Sequence, residues 1–340
     1  MSQTYRVAFI GCGKRARAHL PGIRADARCQ LVAACDVVEA NAAALLEQAA
    51  VDAPVYTDHL EMLSKERPDV VITPLWTGLH LPVFRDCVQA GAKAVLCEKP
   101  MAPTWADCRE MARLAEERRC LLTFCHQRRF AAGNLLARRL LAAGVFGQVE
   151  RMDLYSPKGL LDCGTHSIDQ ALSFNDEQPA KWVLAAMDTS TFNTPFGIHA
   201  ETHLNGTIVF ANDVRAHVWC GGPDQDLFTG VRVIGSEGFF EIEWAGQFNR
   251  AVVYRQPDWQ LPELTDQPPS EMCGVISNAI DCLRSGDEPE LSYHKTLRNN
   301  EIIFAMFESV RQRRRIELPI VIDDHPLEAM IASGTIPISE

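Results

Sequence analysis

The sequence predicts two domains of different class: an α/β domain with a doubly wound parallel sheet, then an α+β domain with an open, mostly antiparallel sheet. Three observations carry this. Short apolar runs alternate with helical patterns over about the first 120 residues. A Gly-x-Gly-x-x-Ala loop (Gly11 to Ala16) follows the first of those runs. From residue 182 to 255 strand follows strand, with turn signals between them. The expected boundary gives domains of residues 1–124 and 125–340, meeting near residue 125.

In the first domain Tyr5–Ile10 reads as a buried strand that stops at Gly11, and residues 30–36 as a second strand. The alanine-rich stretch 39–50 is its helix. A short helix is expected at 58–66, a buried strand at 69–74, and a helix at 80–90 stopped by Gly91. A strand at 93–97, a helix at 104–118 after Pro103, and a strand at 121–125 complete the alternation. Beyond it come a helix at 134–143 ended by Gly144, a strand at 149–155 and a helical stretch starting near Gly164. Asn205-Gly206, Gly221-Gly222-Pro223 and Gly235-Ser236-Glu237-Gly238 are read as the turns of the strand-rich region. Helices at 271–284 and 295–313 follow, and the stretch after Pro319 carries no clear pattern.

Composition bounds the function. With 33 basic and 44 acidic residues the net charge is −11, which argues against nucleic acid or an anionic membrane as partner. The twelve cysteines include no Cys-x-x-Cys pair; Cys12, Cys29, Cys35, Cys87 and Cys97 fit as small apolar fillers. No basic leader precedes the first strand, and no apolar run reaches membrane-spanning length. A cytoplasmic protein acting on a small molecule is expected.

The loop Gly11-Cys12-Gly13-Lys14-Arg15-Ala16 lies between a strand and a helix. Gly11 permits the tight turn, Gly13 lets backbone approach a pyrophosphate, and Ala16 allows close helix packing. The phosphates would then meet backbone N–H groups at the positive end of the helix. Asp36 stands 25 residues after Gly11, at the end of the next strand, where an acid binds adenosine ribose hydroxyls. A bare structural turn is the alternative, and the strand–loop–helix context together with Asp36 favours a dinucleotide. A carboxylate repels a 2′-phosphate, and Val37 and Val38 follow it in place of an arginine, which favours NAD over NADP. Lys14 and Arg15 could compensate from the loop.

Glu98-Lys99-Pro100 ends a buried strand, where ligands sit in open α/β sheets. Asp162 stands four residues before His166, a spacing that puts both on one face of a helix start. Taken singly, a Glu–Lys surface pair and a structural Asp–His bond are the commoner readings. Four ordered motifs weigh against them: Gly11-x-Gly-x-x-Ala-x-x-His19, Glu98-Lys99-Pro100, Gln127-Arg128-Arg129-Phe130, and Asp162-x-Gly-x-His166-x-x-Asp169. With them the chain resembles the glucose–fructose oxidoreductase/inositol dehydrogenase (Gfo/Idh/MocA) family over about residues 5–318. Val233 to Gly238 and Glu308-Ser309-Val310-Arg311 are similar to that family's second domain.

The resemblance implies a Rossmann domain and hydride transfer between a nicotinamide cofactor and a carbinol or carbonyl of a sugar, sugar derivative or cyclitol. The family's catalytic lysine, aspartate and histidine match Lys99, Asp162 and His166. Besides the loop residues and Asp36, the implied cofactor contacts are Leu75, Trp76, His80, Glu98 and Lys99. Implied substrate contacts are Lys99, His126, Arg128, Lys158, Asp162 and His166. Two departures stand out. The family's Thr-Pro pair lies two residues early, at Thr73-Pro74, so Leu75-Trp76 occupy its place. Lys99 and Asp162 are only 63 residues apart, closer than in an inositol dehydrogenase-like member, with Ser156-Pro157-Lys158-Gly159 as a tight link. Substrate identity therefore does not carry over.

Two rival readings remain at this point: an NAD-dependent glycosidase that oxidises a ring transiently, and a non-catalytic NAD-binding regulator, against which the Lys–Asp–His trio argues. His199, Glu201 and His203 alternate along one strand, but a polar sheet face is commoner there than a metal site, and none is expected. The arginines at 311 and 313–315 suit a helix C-terminus, and Trp182, Trp219 and Trp244 are read as strand residues that pack or make subunit contacts rather than as sugar platforms. Apolar runs at 207–210 and 231–234 suggest that the second sheet face is not fully solvated, so a homodimer or homotetramer is expected.

Overall fold

A computed structural model describes residues 4–336 apart from 195–196, 222–228 and 265–266. Its strands are β1 Tyr5–Ile10, β2 Cys29–Cys35, β3 Val55–Tyr56, β4 Val70–Thr73, β5 Ala94–Cys97, β6 Leu121–Phe124, β7 Val149–Ser156, β8 Ala180–Asn193, β9 Ala200–Phe210, β10 Arg215–Cys220, β11 Gly230–Gly235, β12 Gly238–Glu243, β13 Phe248–Val253 and β14 Ile316–Glu317. Its helices are α1 Ala16–Ala25, α2 Glu39–Ala49, α3 His59–Glu66, α4 His80–Gln89, α5 Trp105–Arg118, α6 Ala132–Ala142, α7 Thr165–Phe174, α8 Glu271–Ser285, α9 Tyr293–Gln312 and α10 Pro326–Ala332. The chain forms two compact units. One comprises Met1–Ala102, Asp107–Phe130 and Pro268–Thr296; the other comprises Pro103–Ala106, Ala131–Gln267 and Leu297–Glu340.

In the first unit six parallel strands lie in the order β3-β2-β1-β4-β5-β6. That is the doubly wound order, whose ligand crevice opens at the carboxyl ends of the strands where the order reverses, between β1 and β4. The strands are short and nearly all apolar because helices cover both faces. Val7, Phe9, Ile72 and Leu96 from the strands pack with Leu20, Leu45 and Leu46 from the helices. Asp58 caps α3 by accepting the Leu60 amide at 2.8 Å. The helix α8, far along the chain, packs Ile276, Ala279 and Ile280 into this same core. Its start is capped by Ser270, whose Oγ accepts the Cys273 amide.

In the second unit eight strands run in the order β13-β12-β11-β7-β10-β9-β8-β14. Every neighbouring pair is antiparallel except β7 and β10. Met152, Leu154, Ala216, Val218, Val231, Val233, Phe240 and Ile242 alternate onto a buried face. Trp219 and Leu184 project from the strands with 48% and 47% of their surface exposed.

Two sequence readings are corrected here. Asn205-Gly206 is no turn: Gly206 lies inside β9, paired with Ala185 and Val218. A Cβ there would stand 2.5 Å from the Met306 side chain of α9, so the glycine answers to helix packing. The hairpin turns instead at Asp213, whose φ is +64° and whose amide donates to the Phe210 carbonyl at 2.9 Å. Trp244 is not a strand residue but opens the turn after β12. The turn expected at Gly235 to Gly238 joins β11 and β12, whereas Gly222 and Pro223 lie outside the described residues.

Candidate active site

The first unit holds the predicted cofactor loop. The strand β1 ends at Ile10, and Gly11 turns the chain with φ +88°, a conformation that favours glycine. Its amide donates to the Cys35 carbonyl at 2.8 Å, tying the loop to β2. A Cβ on Gly11 would meet Leu75 at 2.6 Å, whereas one on Gly13 would meet nothing within 4 Å. Space therefore stands open where the backbone would face a pyrophosphate. Fully buried Ala16 then starts α1. The loop fits the group.

Asp36 is oriented from three sides. Its Oδ2 accepts the Cys12 amide at 2.7 Å, and its Oδ1 accepts the Val38 amide at 2.9 Å and Asn41 Nδ2 at 3.1 Å. The Cys12 thiol is buried, donates to the Cys35 carbonyl, and is pushed up to about 12 by burial with help from the Asp36 charge. It is packing, as are the other buried cysteines. Val37 and Val38, which follow Asp36 directly, are both exposed and carry no charge.

Glu98 gathers the loop and the end of β5. Its Oε1 accepts Arg15 Nε at 2.7 Å and meets His19 Nε2 at 2.9 Å. Burial pushes the Glu98 carboxyl up, but the His19 and Arg15 bonds and charges outweigh it and hold it down at about 2. Cys125 joins them, with Arg15 Nη2 3.6 Å from its Sγ. His19, Glu98 and Cys125 could offer metal ligands within 4.8 Å of one another. Arg15 already supplies positive charge to the same carboxylate oxygen, and burial keeps the thiol protonated. Sequence reading missed His19 as Glu98's partner because the two are 79 residues apart.

Lys99 follows Glu98 directly, half-buried, with a cis peptide to Pro100. His80 is buried with Nδ1 3.1 Å from the Met101 carbonyl and Nε2 3.2 Å from that of Leu75. It holds the loop that presents Trp76, which is 65% exposed. His126 is buried just after β6. Arg128 Nη1 donates to Glu271 of α8 at 2.9 Å.

The second unit holds Asp162 and His166. After β7, Ser156 Oγ donates to the Lys158 carbonyl at 2.6 Å, closing the tight link. The Gly159 carbonyl then accepts the amides of Asp162, Cys163 and Gly164 at 3.2, 3.1 and 3.0 Å. Leu160–Gly164 is thus a single π turn, and α7 begins only at Thr165. Asp162 therefore precedes the α-helix and does not share its regular i,i+4 face with His166, because one carbonyl collects three amides. The Asp162 carboxylate meets Lys158 Nζ at 3.3 Å, and its charge raises the lysine.

His166 is buried in the first turn of α7, its ring 6.0 Å from that of Trp244. Trp244 Nε1 donates to Ser167 Oγ at 3.0 Å, and Asn134 Nδ2 donates to the Trp244 carbonyl at 3.2 Å. Asn299 of α9 bonds both the hydroxyl and the carbonyl of Thr165. Trp244 is thus a neighbour of His166 that sequence reading assigned to packing; a tryptophan 78 residues further along the chain gives no local signal. His199, Glu201 and His203 take three different partners: Glu328, the Leu160 amide and Asp188.

The fold and the glycine loop define a dinucleotide-binding Rossmann protein. Residues 5–126 match the family described as oxidoreductases with an NAD-binding Rossmann fold, the Gfo/Idh/MocA family. That match covers the Rossmann segment and ends before Ala131, where the main part of the second unit begins. It is 25% identical to D-apiose dehydrogenase of Paraburkholderia graminis, over 98% of this chain and 94% of that protein. To inositol 2-dehydrogenase of Salmonella typhimurium it is 27% identical over 43% of this chain and 44% of that one, so this match spans less than half of the relative. Among solved structures, the WlbA dehydrogenase from Bordetella pertussis, in complex with NADH and UDP-GlcNAcA, superposes with a TM-score of 0.76 at 22% identity. The likeness covers 94% of this chain and all of that one, and it is one of fold. No helix among the described residues is long and apolar enough to cross a membrane.

Proposed function

We propose that the protein is an NAD-dependent dehydrogenase or reductase of a sugar, sugar derivative or cyclitol. The observation that carries this is Asp36, locked onto the glycine loop through the Cys12 amide and followed by two exposed valines. An acid so placed accepts ribose hydroxyls and repels a 2′-phosphate. Arg15, which could have offset that repulsion, is engaged by Glu98. Gly11 to Ala16 and Asp36 would hold the cofactor, with Leu75, Trp76, Glu98 and Lys99 bordering it and His80 acting through the Leu75 carbonyl. The names of the relatives support a polyhydroxylated substrate.

When bound, NAD supplies or accepts the hydride. The chain's own residues handle the proton. In this reading His166 is the base for the substrate hydroxyl, since an imidazole titrates near neutrality. Lys99 would hydrogen-bond the same oxygen and stabilise negative charge on it. Asp162 would orient the substrate, with Lys158 acting through its pair with Asp162. His126 and Arg128 would be outer contacts, Arg128 steered by Glu271. A homodimer or homotetramer is proposed, supported by exposed Trp219 and Leu184 on the sheet of the second unit.

Purified protein incubated with NAD and a panel of free aldoses, cyclitols and glycosides tests this. NADH accumulation with a free sugar or cyclitol is expected. Aglycone release from a glycoside without net NADH would overturn it in favour of a glycosidase, and silence across the panel despite NAD binding would favour a regulator.

A further inference from the structure

Glu201 lies on β9 with no solvent exposure, an unusual place for a carboxyl group. Its Oε1 accepts the Leu160 amide at 2.6 Å. Leu160 opens the π turn Leu160–Gly164, which carries Asp162 and runs directly into the helix of His166. The other oxygen, Oε2, is buried and finds no hydrogen-bond partner among the described residues. The turn is pressed onto this glutamate. A Cβ on Gly159 would stand 2.3 Å from the Glu201 carbonyl and 3.0 Å from its carboxyl carbon. At the far end of the turn, a Cβ on Gly164 would stand 2.9 Å from Cys220 Sγ of β10.

We propose that Glu201 is a positioning residue for the candidate catalytic segment, fixing Asp162 and His166 by holding the turn through the Leu160 amide. This rests on the reading of Asp162 and His166 given above. An apolar residue would fill the same space on β9, but it would leave the Leu160 amide buried without an acceptor. The tight link of 156–159 has little slack of its own, so the anchor decides where the turn begins.

The titratable groups acting on Glu201 are Asp162 from the turn, itself paired with Lys158 at 3.3 Å, and Cys220 from β10, which Cys163 of the turn also faces. Burial first, then the Asp162 charge, raises the Glu201 carboxyl to about 7 against the opposing Leu160 bond. Near neutrality the group is thus poised between an uncharged anchor and a buried anion that repels Asp162.

Glu201→Ala, Glu201→Gln and His166→Ala, assayed on the sugar or cyclitol that the wild type oxidises fastest in the panel, test the proposal. Glu201→Ala should lower kcat about tenfold to a hundredfold, as a slightly misplaced group does, with NAD affinity unchanged within twofold. Glu201→Gln keeps the Oε1 acceptor and should restore most of that loss. It should also lack two trends expected of the wild type: a fall in Tm as pH rises from about 4.5 to about 7, and a fall in kcat as pH rises through about 7. Hydrogen exchange of the peptide containing 159–164 should quicken in Glu201→Ala and not in Glu201→Gln. If Glu201→Ala does not fold, Glu201→Gln decides: a pH profile identical to wild type overturns the proposal. Full activity of Glu201→Ala beside an inactive His166→Ala would overturn it while leaving the proposed function standing. Full activity of His166→Ala would instead remove the reading on which it rests.

Discussion

The carboxylate of Asp36 accepts the backbone amide of Cys12 at 2.7 Å, joining the end of β2 to the glycine loop after β1. The residue expected to select the cofactor is therefore also part of the wall of the phosphate loop. In the proposed reading, cofactor choice and loop conformation would be coupled through one side chain.

NAD should bind at least tenfold more tightly than NADP, about 1.4 kcal/mol, by calorimetric titration. Asp36→Ala should weaken NAD and narrow the gap to NADP, because repulsion of a 2′-phosphate and the Cys12 anchor are lost together. Equal affinities in the wild type would refute the assignment.

His166→Ala and Lys99→Ala should each lower turnover about 10²–10⁴-fold, the usual range for general acid–base groups. Both should bind NAD within a few-fold of wild type, since Gly11 to Ala16 and Asp36 are untouched. Steady-state kinetics beside NAD titration separates the two effects.

Glu98→Ala should lower stability by about 2 kcal/mol, less than for a fully enclosed pair because the Arg15 side chain is 41% exposed. The Glu98 carboxyl is held down, at about 2, in the folded chain. Its contribution is therefore complete above the ordinary carboxylate range near 4.5 and is lost as pH falls toward 2. Thermal unfolding between pH 7 and pH 3 should show wild type and Glu98→Ala converging as the solution is acidified. A constant difference across that range would count against the network.

Light scattering at micromolar concentration should give the mass of a dimer or tetramer. Trp219→Glu, placed on the exposed sheet position, should shift that mass toward the monomer without unfolding the chain. A wild-type monomer would end the assembly reading.

Much of the first unit was legible because its signals are local. Apolar runs and helical spacing lie within a dozen residues; β1 falls at Tyr5–Ile10 as expected and β2, β4, β5 and β6 within about a residue of expectation, whereas the two-residue edge strand β3 was not foreseen. The glycine loop and Asp36 were legible for the same reason, since a strand, a turn and a helix start sit side by side in the chain. Reading failed where one residue type serves two purposes. Asn205-Gly206 has the form of a hairpin turn, yet the glycine makes room for Met306 of α9.

By itself, then, the sequence determined the alternation of strands and helices in the first unit and the mostly antiparallel second sheet, and it singled out Asp36, Lys99, Asp162 and His166 as candidates. Tertiary structure alone decided their partners. Glu98 joins Arg15 and His19, Trp244 lies beside His166, Glu201 anchors Leu160, and the segment 268–296 returns to the first unit. The physical reason is separation. Backbone propensity and apolar period act over neighbouring residues, whereas a buried carboxylate takes whatever donor the packed fold brings to it.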